Sequence, residues 1–455
     1  MATLDGVRRN SCLLSRVLHG LRSRRWRVRA GPGRLALLGL LASLVAVAVS
    51  YASASRGQVG WETSLAGARQ VDAVEPQWAV QPLHPAQLRN ASAVTKAIRF
   101  ILDLQPAGTY ILSTPGTDDV VHMDVAHSAI ALTKTRHLAE AEAAMDWLLG
   151  RMTVPGDPDE FGSYSAGGKS YQVDYAGSWW DHFRSSGEPR TDLTRGRAEG
   201  VGIALIATYT IYLEDPGYLS HRLGAYSVAD RVAFAARYLA SPAIQREDGR
   251  FNHRPDYRVS FNEEGARMVL GLQLASEMLD GVGRTREAKE VESHAELGLS
   301  ALLGGKGLSQ GMAYDYYALG IWGLATPQYA RQELRAVKAA GLATPYGVRN
   351  WDWQFHQATS LLDRFRWWAQ AQTIAPSETF DWAIASITAG QIGNALEVES
   401  RWLALQLPDG GFPGSYLPVV GLSFGPPASY SAARFVMLER MLTEVLGSGG
   451  ELASS

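Results

Sequence analysis

The chain has 455 residues, of which 46% are hydrophobic, and its 43 basic residues nearly balance 45 acidic ones, giving a net charge of −2 at pH 7. This balance argues against a general nucleic-acid-binding role, because nine of the basic residues are arginines confined to residues 1–34. The only cysteine, Cys12, lies in the same segment, so the sequence predicts no disulfide, no zinc–thiolate site and no cysteine nucleophile.

The first predicted element is a membrane-spanning helix. Residues 35–54 form a run of twenty residues without a charge, about the length that a helix needs to cross a hydrocarbon core roughly 30 Å thick. The arginine-rich residues 1–34 are expected to stay cytoplasmic and to place the main domain outside the cytoplasm. We therefore predict a single-pass protein of the cell membrane whose signal-anchor contacts the lipid bilayer. The alternative is secretion after cleavage near Ala54, since Ala52-Ser53-Ala54 fits a signal-peptidase site.

Two segments are predicted to flank the main domain. Residues 55–90 contain three prolines and show no sustained hydrophobic period, which is typical of a linker. Residues 447–455 are predicted to be a flexible C-terminal tail. The domain between them is expected to span residues 91–446.

Within that domain, apolar residues recur at spacings of three and four, which predicts amphipathic helices, and no run of alternating strand character competes with them. About thirteen helices are predicted, at residues 91–104, 122–135, 138–152, 200–213, 228–240, 263–279, 286–303, 314–324, 328–340, 357–371, 379–391, 393–405 and 431–446.

A glycine-containing turn followed by an aromatic residue recurs between these helices. It occurs at residues 107–110, 161–164, 248–251 and 409–412. Glycine supplies the left-handed conformation that ends a helix, and the aromatic ring can fold over the helix end. The intervals suggest hairpin units of about 55 residues, and six such hairpins would close an all-α (α/α)6 toroid. An irregular helical bundle or an open solenoid is the alternative.

The order of these features resembles that of the six-hairpin glycosidases of the glucoamylase type. The segment 122–126, HMDVA, opens a helix and is followed by 142–149, as in the first hairpin of those enzymes. The turn 248–252, DGRFN, lies where they have an acid, but Asn252 occupies the position at which the acid is expected. The segment 405–412, LQLPDGGF, is similar to turns of the terpene-cyclase and prenyltransferase toroids. The resemblance implies a helical toroid and glycosidase-like activity.

In a helical ring, loops at one rim line the central cavity, so acids and aromatic residues in such loops are candidates for substrate binding. The densest cluster lies in residues 169–184, where the predicted sugar-binding residues are Tyr171, Trp179, Trp180 and Asp181, with Asp174 beside them. Aromatic faces can stack on sugar rings while carboxylates bind hydroxyls. Alternatively, the tryptophans cover a helix end and the aspartates are solvated.

Two glutamates at helix starts are the leading catalytic candidates. Glu199 follows Arg195 and Arg197 and opens the helix at 200–213, so the helix dipole and the arginines favour its charged form, as a base or charge stabiliser requires. Glu264 lies at the start of the predicted helix at 263–279 and, with Asp174, is a candidate proton donor. Simple charge complementarity at a helix start is the alternative for both glutamates.

Further candidates for sugar binding are Trp351 and Asp352, in an aromatic–acid segment at 350–357, and Asp124, near the doublet Asp118-Asp119. Two histidines five residues apart, at 122 and 127, are poorly spaced for one metal, and nucleotide and zinc motifs are missing from the sequence. We therefore predict no metal and no cofactor.

The sequence favours a carbohydrate-active enzyme that acts on an envelope or exported polysaccharide. A glycoside hydrolase with carboxylate acid/base chemistry is the leading form, and a lyase or epimerase acting on uronic acids is a variant. The alternative is a non-catalytic saccharide-binding or scaffold toroid in polysaccharide export or cell-wall assembly. Convergence of carboxylates in one cavity would favour the enzyme.

Overall fold

The structure is a computed structural model, and it describes residues 76–166, 169–260, 262–303, 343–349, 372–418 and 420–452, with the isolated residues 324, 331, 334, 335 and 338. The predicted membrane helix at 35–54 and the candidates Trp351 and Asp352 lie outside the described residues. In the part of the chain that is described, no helix is long and apolar enough to cross a membrane. The described residues all belong to one compact unit, Arg69–Ser455.

The described part of the chain is mainly helical, as predicted. Its helices are α1 (Ala91–Asp103), α2 (His122–Lys134), α3 (Leu138–Leu149), α4 (Ala198–Glu214), α5 (Val228–Ala240), α6 (Asn262–Gly281), α7 (Thr285–Leu303), α8 (Pro376–Thr388), α9 (Ile392–Leu403) and α10 (Ser429–Leu452). Helix α10 therefore continues past residue 447, where the tail was predicted to begin.

Short antiparallel strands occur only in the connections between the described helices. They pair as β1 (Val120–Val121) with β4 (His182–Phe183), β2 (Phe161–Ala166) with β3 (Lys169–Asp174), β5 (Arg222–Leu223) with β6 (Tyr226–Ser227), β7 (Ala343–Thr344) with β8 (Gly347–Val348), and β9 (Ser415–Leu417) with β10 (Leu422–Phe424). The β2–β3 hairpin was not predicted from the sequence.

The helices form two layers whose composition explains their positions. Helix α4 is made almost entirely of apolar and small residues and is buried from Ala198 to Ile211, as an inner helix must be. Helices α1, α7 and α9 are instead exposed along one side, which is typical of an outer layer. The described inner helices are neighbours in the order α8, α10, α2, α4 and α6, so they form an arc of a ring. This arrangement is that of an all-α toroid.

Close approach of the inner helices depends on small residues. A Cβ atom on Gly271 of α6 would lie 2.9 Å from the Cα atom of Gly202 in α4. Such a distance is shorter than a van der Waals contact, so both crossing positions need glycine. The two backbones can then pack against each other directly, which brings the starts of α4 and α6 together.

Long connections gather at one end of the ring. The described connections that lead from an outer helix to an inner one are long, at residues 104–121, 150–197, 241–261 and 404–428. Three described returns, at 135–137, 282–284 and 389–391, are short, and the return at 215–227 is longer. The long loops therefore surround the amino-terminal ends of the inner helices, where the helix dipoles are positive.

The domain begins earlier than the predicted boundary at residue 91. Gln77 and Val80 are buried, and the Gln77 side-chain oxygen accepts a hydrogen bond of 3.0 Å from Arg434 in α10. Residues 76–90, which the sequence predicts to be part of a linker, thus belong to the folded domain. No local pattern in the sequence reveals these contacts, because they join residues more than three hundred positions apart.

Candidate active site

A chain of buried ion pairs crosses the ring at the starts of the inner helices. Arg267 of α6 bonds to Glu199 of α4, and its other terminal nitrogen lies 3.8 Å from Asp381 of α8. Arg434 of α10 bonds to the same aspartate. These four residues, named here the ion chain, are all buried; Glu199 is only 2% exposed. Buried charges of this kind are tolerated only when they are paired. The two arginines and the two carboxylates of the ion chain neutralise one another.

Polar groups of α10 and α2 surround one end of the ion chain. The Tyr430 hydroxyl donates to Asp381 over 3.3 Å, and the Tyr430 ring lies 4.4 Å from the ring of His127. Burial, together with the positive charges of Arg434 and Arg267, holds the pKa of His127 well below its usual range. This histidine is therefore neutral at physiological pH.

The other end of the ion chain opens toward solvent. Arg197 lies 2.8 Å from Glu199 and 3.6 Å from Glu264, and its side chain is 35% exposed. Glu264 also accepts a hydrogen bond of 2.7 Å from His253, which lies in the loop before α6. Glu264 is itself buried, and it contacts both Arg197 and His253, whereas Glu199 contacts Arg197 and Arg267.

A tight contact fixes the start of α2 against the start of α4. His122 is buried, and its Nδ1 atom lies 3.0 Å from the Asp181 carbonyl oxygen. A Cβ atom on Gly200 would fall 1.5 Å from the Nε2 atom of His122, so only glycine is accommodated there. Asp181 also accepts from the Arg197 backbone N–H and the Thr194 hydroxyl, which makes it a loop-bracing residue.

Two further carboxylates at helix starts remain partly exposed and have increased proton affinity. Burial raises the pKa of Asp124 in α2 to about 6, although a hydrogen bond from Ser113 acts in the opposite direction. Burial likewise raises the pKa of Glu378 in α8. A partly exposed carboxyl group with a raised pKa can serve as a general acid.

A histidine–aspartate pair lies close to Asp124 at the rim. The Nδ1 atom of His182 is 3.0 Å from Asp119, and Arg190 lies 3.5 Å from the same carboxylate. The charges of His182 and Asp119 both act on Asp124. In the described residues, no group of three or more histidine, cysteine or acidic side chains has the arrangement of a metal site.

Comparison by sequence finds no relative: no protein-family model and no curated protein matches the chain. Comparison with solved structures finds proteins of similar fold. A structure described as a wild-type glycosidase has 15% identity and a TM-score of 0.55, and the match covers 79% of this chain and 97% of that one. A glycosidase variant in complex with glucose has 14% identity and a TM-score of 0.56, with the same coverage. A bacterial glucoamylase complexed with acarbose has 13% identity and a TM-score of 0.50, over 79% of this chain and 57% of that one.

The fold is that of the six-hairpin glycosidases. At these identities the likeness extends to the fold alone, because one fold can host several activities. The resemblance to the glucoamylase type that the sequence indicated is therefore confirmed as architecture. In this six-hairpin fold, the carboxylates described above lie at the ends of the inner helices that the long loops surround.

The six-hairpin fold brings four of the predicted residues to the starts of inner helices or to the loops beside them: Glu199, Glu264, Asp124 and Asp181. Asp174 does not join them. It lies at the end of β3 on an exposed hairpin, where its side chain accepts a hydrogen bond of 2.8 Å from the backbone of Ala176. The structure thus gives Asp174 the role of a turn residue.

The predicted aromatic residues have different environments. Trp179 is 1% exposed, and its indole N–H donates to the Leu148 carbonyl oxygen over 2.7 Å, so it covers the end of α3 as a core residue. This placement matches the alternative that the sequence left open. Trp180 is partly exposed and donates to Asp159 over 3.3 Å, and Tyr171 is exposed on β3.

Sequence reasoning missed several residues of this site: Glu378, Asp381, His253, Tyr430 and Arg434. One signal was available for Glu378, because it lies in the first turn of α8 as Glu199 does in α4. The tyrosine and the arginine of α10 have no comparable local signal, since their partners lie about fifty residues away in the sequence.

Proposed function

We propose that this protein is a carbohydrate-active enzyme, a glycoside hydrolase that cleaves an envelope or exported polysaccharide by carboxylate acid/base chemistry. The main support is the gathering of carboxylates at the starts of consecutive inner helices, in a fold whose solved neighbours are described as glycosidases. Glycosidic cleavage uses two carboxyl groups, one protonated and one ionised.

Asp124 is the proposed proton donor. Its pKa of about 6 lets it hold a proton close to neutral pH, and its partial exposure allows a glycosidic oxygen to approach. Glu378 is the second candidate donor, because burial raises its pKa as well. Donation protonates the leaving oxygen while a second carboxylate assists the attack of water.

Glu264 is the proposed second carboxylate. It lies 2.7 Å from His253 and 3.6 Å from Arg197, two basic side chains at the more open end of the site. Glu199 is paired with both Arg197 and Arg267, so we propose that it stabilises charge and positions these two arginines rather than assisting water.

The test measures hydrolysis of a panel of linear oligosaccharides from disaccharide to heptasaccharide. Because related structures are described as complexes with glucose and acarbose, the panel begins with α-linked and β-linked glucose oligomers and extends to uronic-acid oligomers. We expect release of reducing ends by the wild-type protein and a loss of about two to four orders of magnitude in turnover for Asp124→Asn. The rate should fall as the pH rises through about 6, since the donor must be protonated. Full activity in a folded Asp124→Asn variant would exclude this residue as the donor.

A second candidate function is a non-catalytic saccharide-binding scaffold, and one observation favours it. Asn252 occupies the turn position at which the glucoamylase-type resemblance predicts an acid, and its amide is used structurally: it accepts from Arg246 over 2.6 Å and donates to Ala243 over 2.8 Å. A scaffold would bind members of the panel without releasing reducing ends, at any pH.

We further propose that residues 35–54 anchor the protein in the cell membrane with the main domain outside the cytoplasm. The support is the uncharged run of twenty residues and the arginine-rich segment before it. The full chain should fractionate with membranes, and protease added outside the cell should digest the domain. Release of the domain after cleavage near Ala54 would instead give a soluble fragment lacking the first fifty-four residues.

A further inference from the structure

A pair of tyrosines lies on one face of the β2–β3 hairpin, within the long loop that precedes α4. Tyr164 and Tyr171 are directly opposite each other in the strand register. Their rings are nearly parallel, with centroids 5.2 Å apart, and Tyr171 is 38% exposed. The two rings therefore form one aromatic surface that faces solvent.

Tyr175 extends this surface toward the ring of helices. Its ring packs over Gly162, where a Cβ atom would lie only 2.8 Å from the tyrosine ring. Gly162 and Tyr164 are two positions apart in β2, so both face the same side of the hairpin. The ring of Tyr175 thus lies on the same face as the tyrosine pair.

Arg195 and Trp180 continue the surface to the start of α4. The guanidinium carbon of Arg195 lies 4.1 Å from the ring centroid of Tyr175 and 5.1 Å from that of Trp180. Asp159 accepts from the Trp180 indole over 3.3 Å and lies 3.1 Å from Arg195. Two residues after Arg195, Arg197 contacts both Glu199 and Glu264.

We propose that this surface, the rim track formed by Tyr171, Tyr164, Tyr175, Arg195 and Trp180, binds the distal units of a linear glycan chain and directs the chain to the starts of the inner helices. The track is roughly 15 Å long, given the rise of a strand and the ring spacings, which exceeds one sugar ring. Aromatic faces suit the apolar faces of sugar rings, while the tyrosine hydroxyls and the carboxylate of Asp159, whose side chain is 47% exposed, suit sugar hydroxyls.

The proposal rests on the proposed function and deepens it, because it assigns a binding surface to the part of the polymer that lies outside the site of cleavage. It also predicts a property that a purely structural stack of tyrosine, arginine and tryptophan lacks: affinity that increases with the length of the glycan. A structural stack would contribute to folding and leave affinity independent of chain length.

The experiment measures binding of the full chain in detergent micelles to the same oligosaccharide panel by calorimetry, from disaccharide to heptasaccharide. We expect the wild-type affinity for the preferred sugar to increase by about tenfold or more along the series. Tyr171→Ala and Tyr164→Ala should lose most of this increase, whereas Tyr171→Phe, which keeps the ring, should retain it.

Phe161→Ala is the matched control. Phe161 lies on the same strand and is 66% exposed, but it is an odd number of positions from Tyr164 and faces the opposite side of the hairpin. This variant should retain the wild-type dependence on chain length. An equal loss in Phe161→Ala and Tyr171→Ala would overturn the proposal, and so would a wild-type affinity that does not increase with length for any sugar in the panel.

The outcome separates the two proposals. Length-dependent binding that Tyr171→Ala abolishes, without release of reducing ends, supports the rim track and rejects the hydrolase. Hydrolysis by the wild-type protein with equal affinity for short and long chains supports the hydrolase and rejects the rim track.

Discussion

Arg267 is the central residue of the ion chain, since it contacts both Glu199 and Asp381. Replacing it with methionine would leave two buried carboxylates without one of their positive partners. We expect Arg267→Met to lower the free energy of unfolding by about 3–5 kcal/mol, the usual cost of breaking a buried charge pair. Urea denaturation measures this change.

Arg99→Met provides the control for that experiment. Arg99 pairs with Asp103 over 3.9 Å on the exposed side of α1, and both side chains are mostly exposed. Its loss should change the free energy of unfolding by less than about 0.5 kcal/mol. If Arg267→Met and Arg99→Met had the same free energy of unfolding, the result would contradict a stabilising role for the ion chain.

The raised pKa of Glu439 in α10 should make the stability of the protein depend on pH. Burial and the neighbouring carboxylate of Glu399 raise its pKa from 4.5 to about 8, and the Asn90 amide donates to both carboxylates. Between these two pKa values the folded protein binds more protons than the unfolded chain, so stability must fall as the pH rises through this window.

The measurement compares urea denaturation at about pH 6 and about pH 8.5. The wild-type protein should be less stable at the higher pH, and Glu439→Gln should lose most of this difference because it cannot ionise. Glu397→Gln, at an exposed position of α9, is the control and should keep the wild-type difference. A wild-type protein that is equally stable at both pH values would contradict the raised pKa of Glu439.

How much of the site the sequence predicts depends on how local its signals are. Glu199 and Glu264 were identified because an acid at a helix start is visible in a few neighbouring residues. Their partnership with Arg267 and His253 was not, and neither was the contact of Asp381 with Arg434, fifty-three positions away. Burial of Trp179 was also hidden, because an aromatic cluster has the same composition whether it covers a helix end or faces a ligand.

At the level of elements, the contact between α2 and α4 depends on Gly200. A Cβ atom there would overlap the Nε2 atom of His122, so Gly200→Ala must push the two helices apart. We expect a loss of about 1–3 kcal/mol in the free energy of unfolding, as for other overpacked cores. Thermal denaturation provides the measurement.

The matched substitution is Gly393→Ala, at the start of α9. No atom lies within 4 Å of a Cβ atom built at Gly393. Alanine there should leave stability unchanged or raise it by up to about 1 kcal/mol, because alanine favours a helix over glycine. Similar losses in both variants would show that the effect comes from helix propensity rather than from the contact with His122.

Most of the helices in the described residues were predicted from hydrophobic periodicity, and α4 extends only a few positions beyond the predicted 200–213. The β2–β3 hairpin was missed because its first residues, 161–164, were interpreted as a glycine turn that ends a helix. A glycine followed by an aromatic residue serves equally well in a strand, where Gly162 makes room for Tyr175. The motif of glycine followed by an aromatic residue is therefore compatible with a turn or a strand. At 161–164 it forms a strand because residues 169–174 pair with it.

At the level of the whole molecule, the amino-terminal boundary of the domain determines the stability of any soluble fragment. A fragment that begins at residue 85 lacks Gln77 and Val80, both of which are buried. It should melt at a lower temperature than a fragment that begins at residue 70, by several degrees, and both should give helical circular dichroism spectra. Equal melting temperatures would show that residues 76–84 contribute nothing to stability.

The closing contacts of the ring also join the two ends of the domain. Gln77 bonds to Arg434, the Arg89 backbone to Thr443, and Asn90 to Glu439, across 357, 354 and 349 positions of sequence. A ribosome that has completed α1 and α2 must still add more than three hundred residues before these partners emerge. Until then the side of the first hairpin that packs on α10 stays uncovered and is prone to mispairing. A chain that terminates before α10 should consequently fail to fold and be degraded by proteases, rather than form a smaller functional domain.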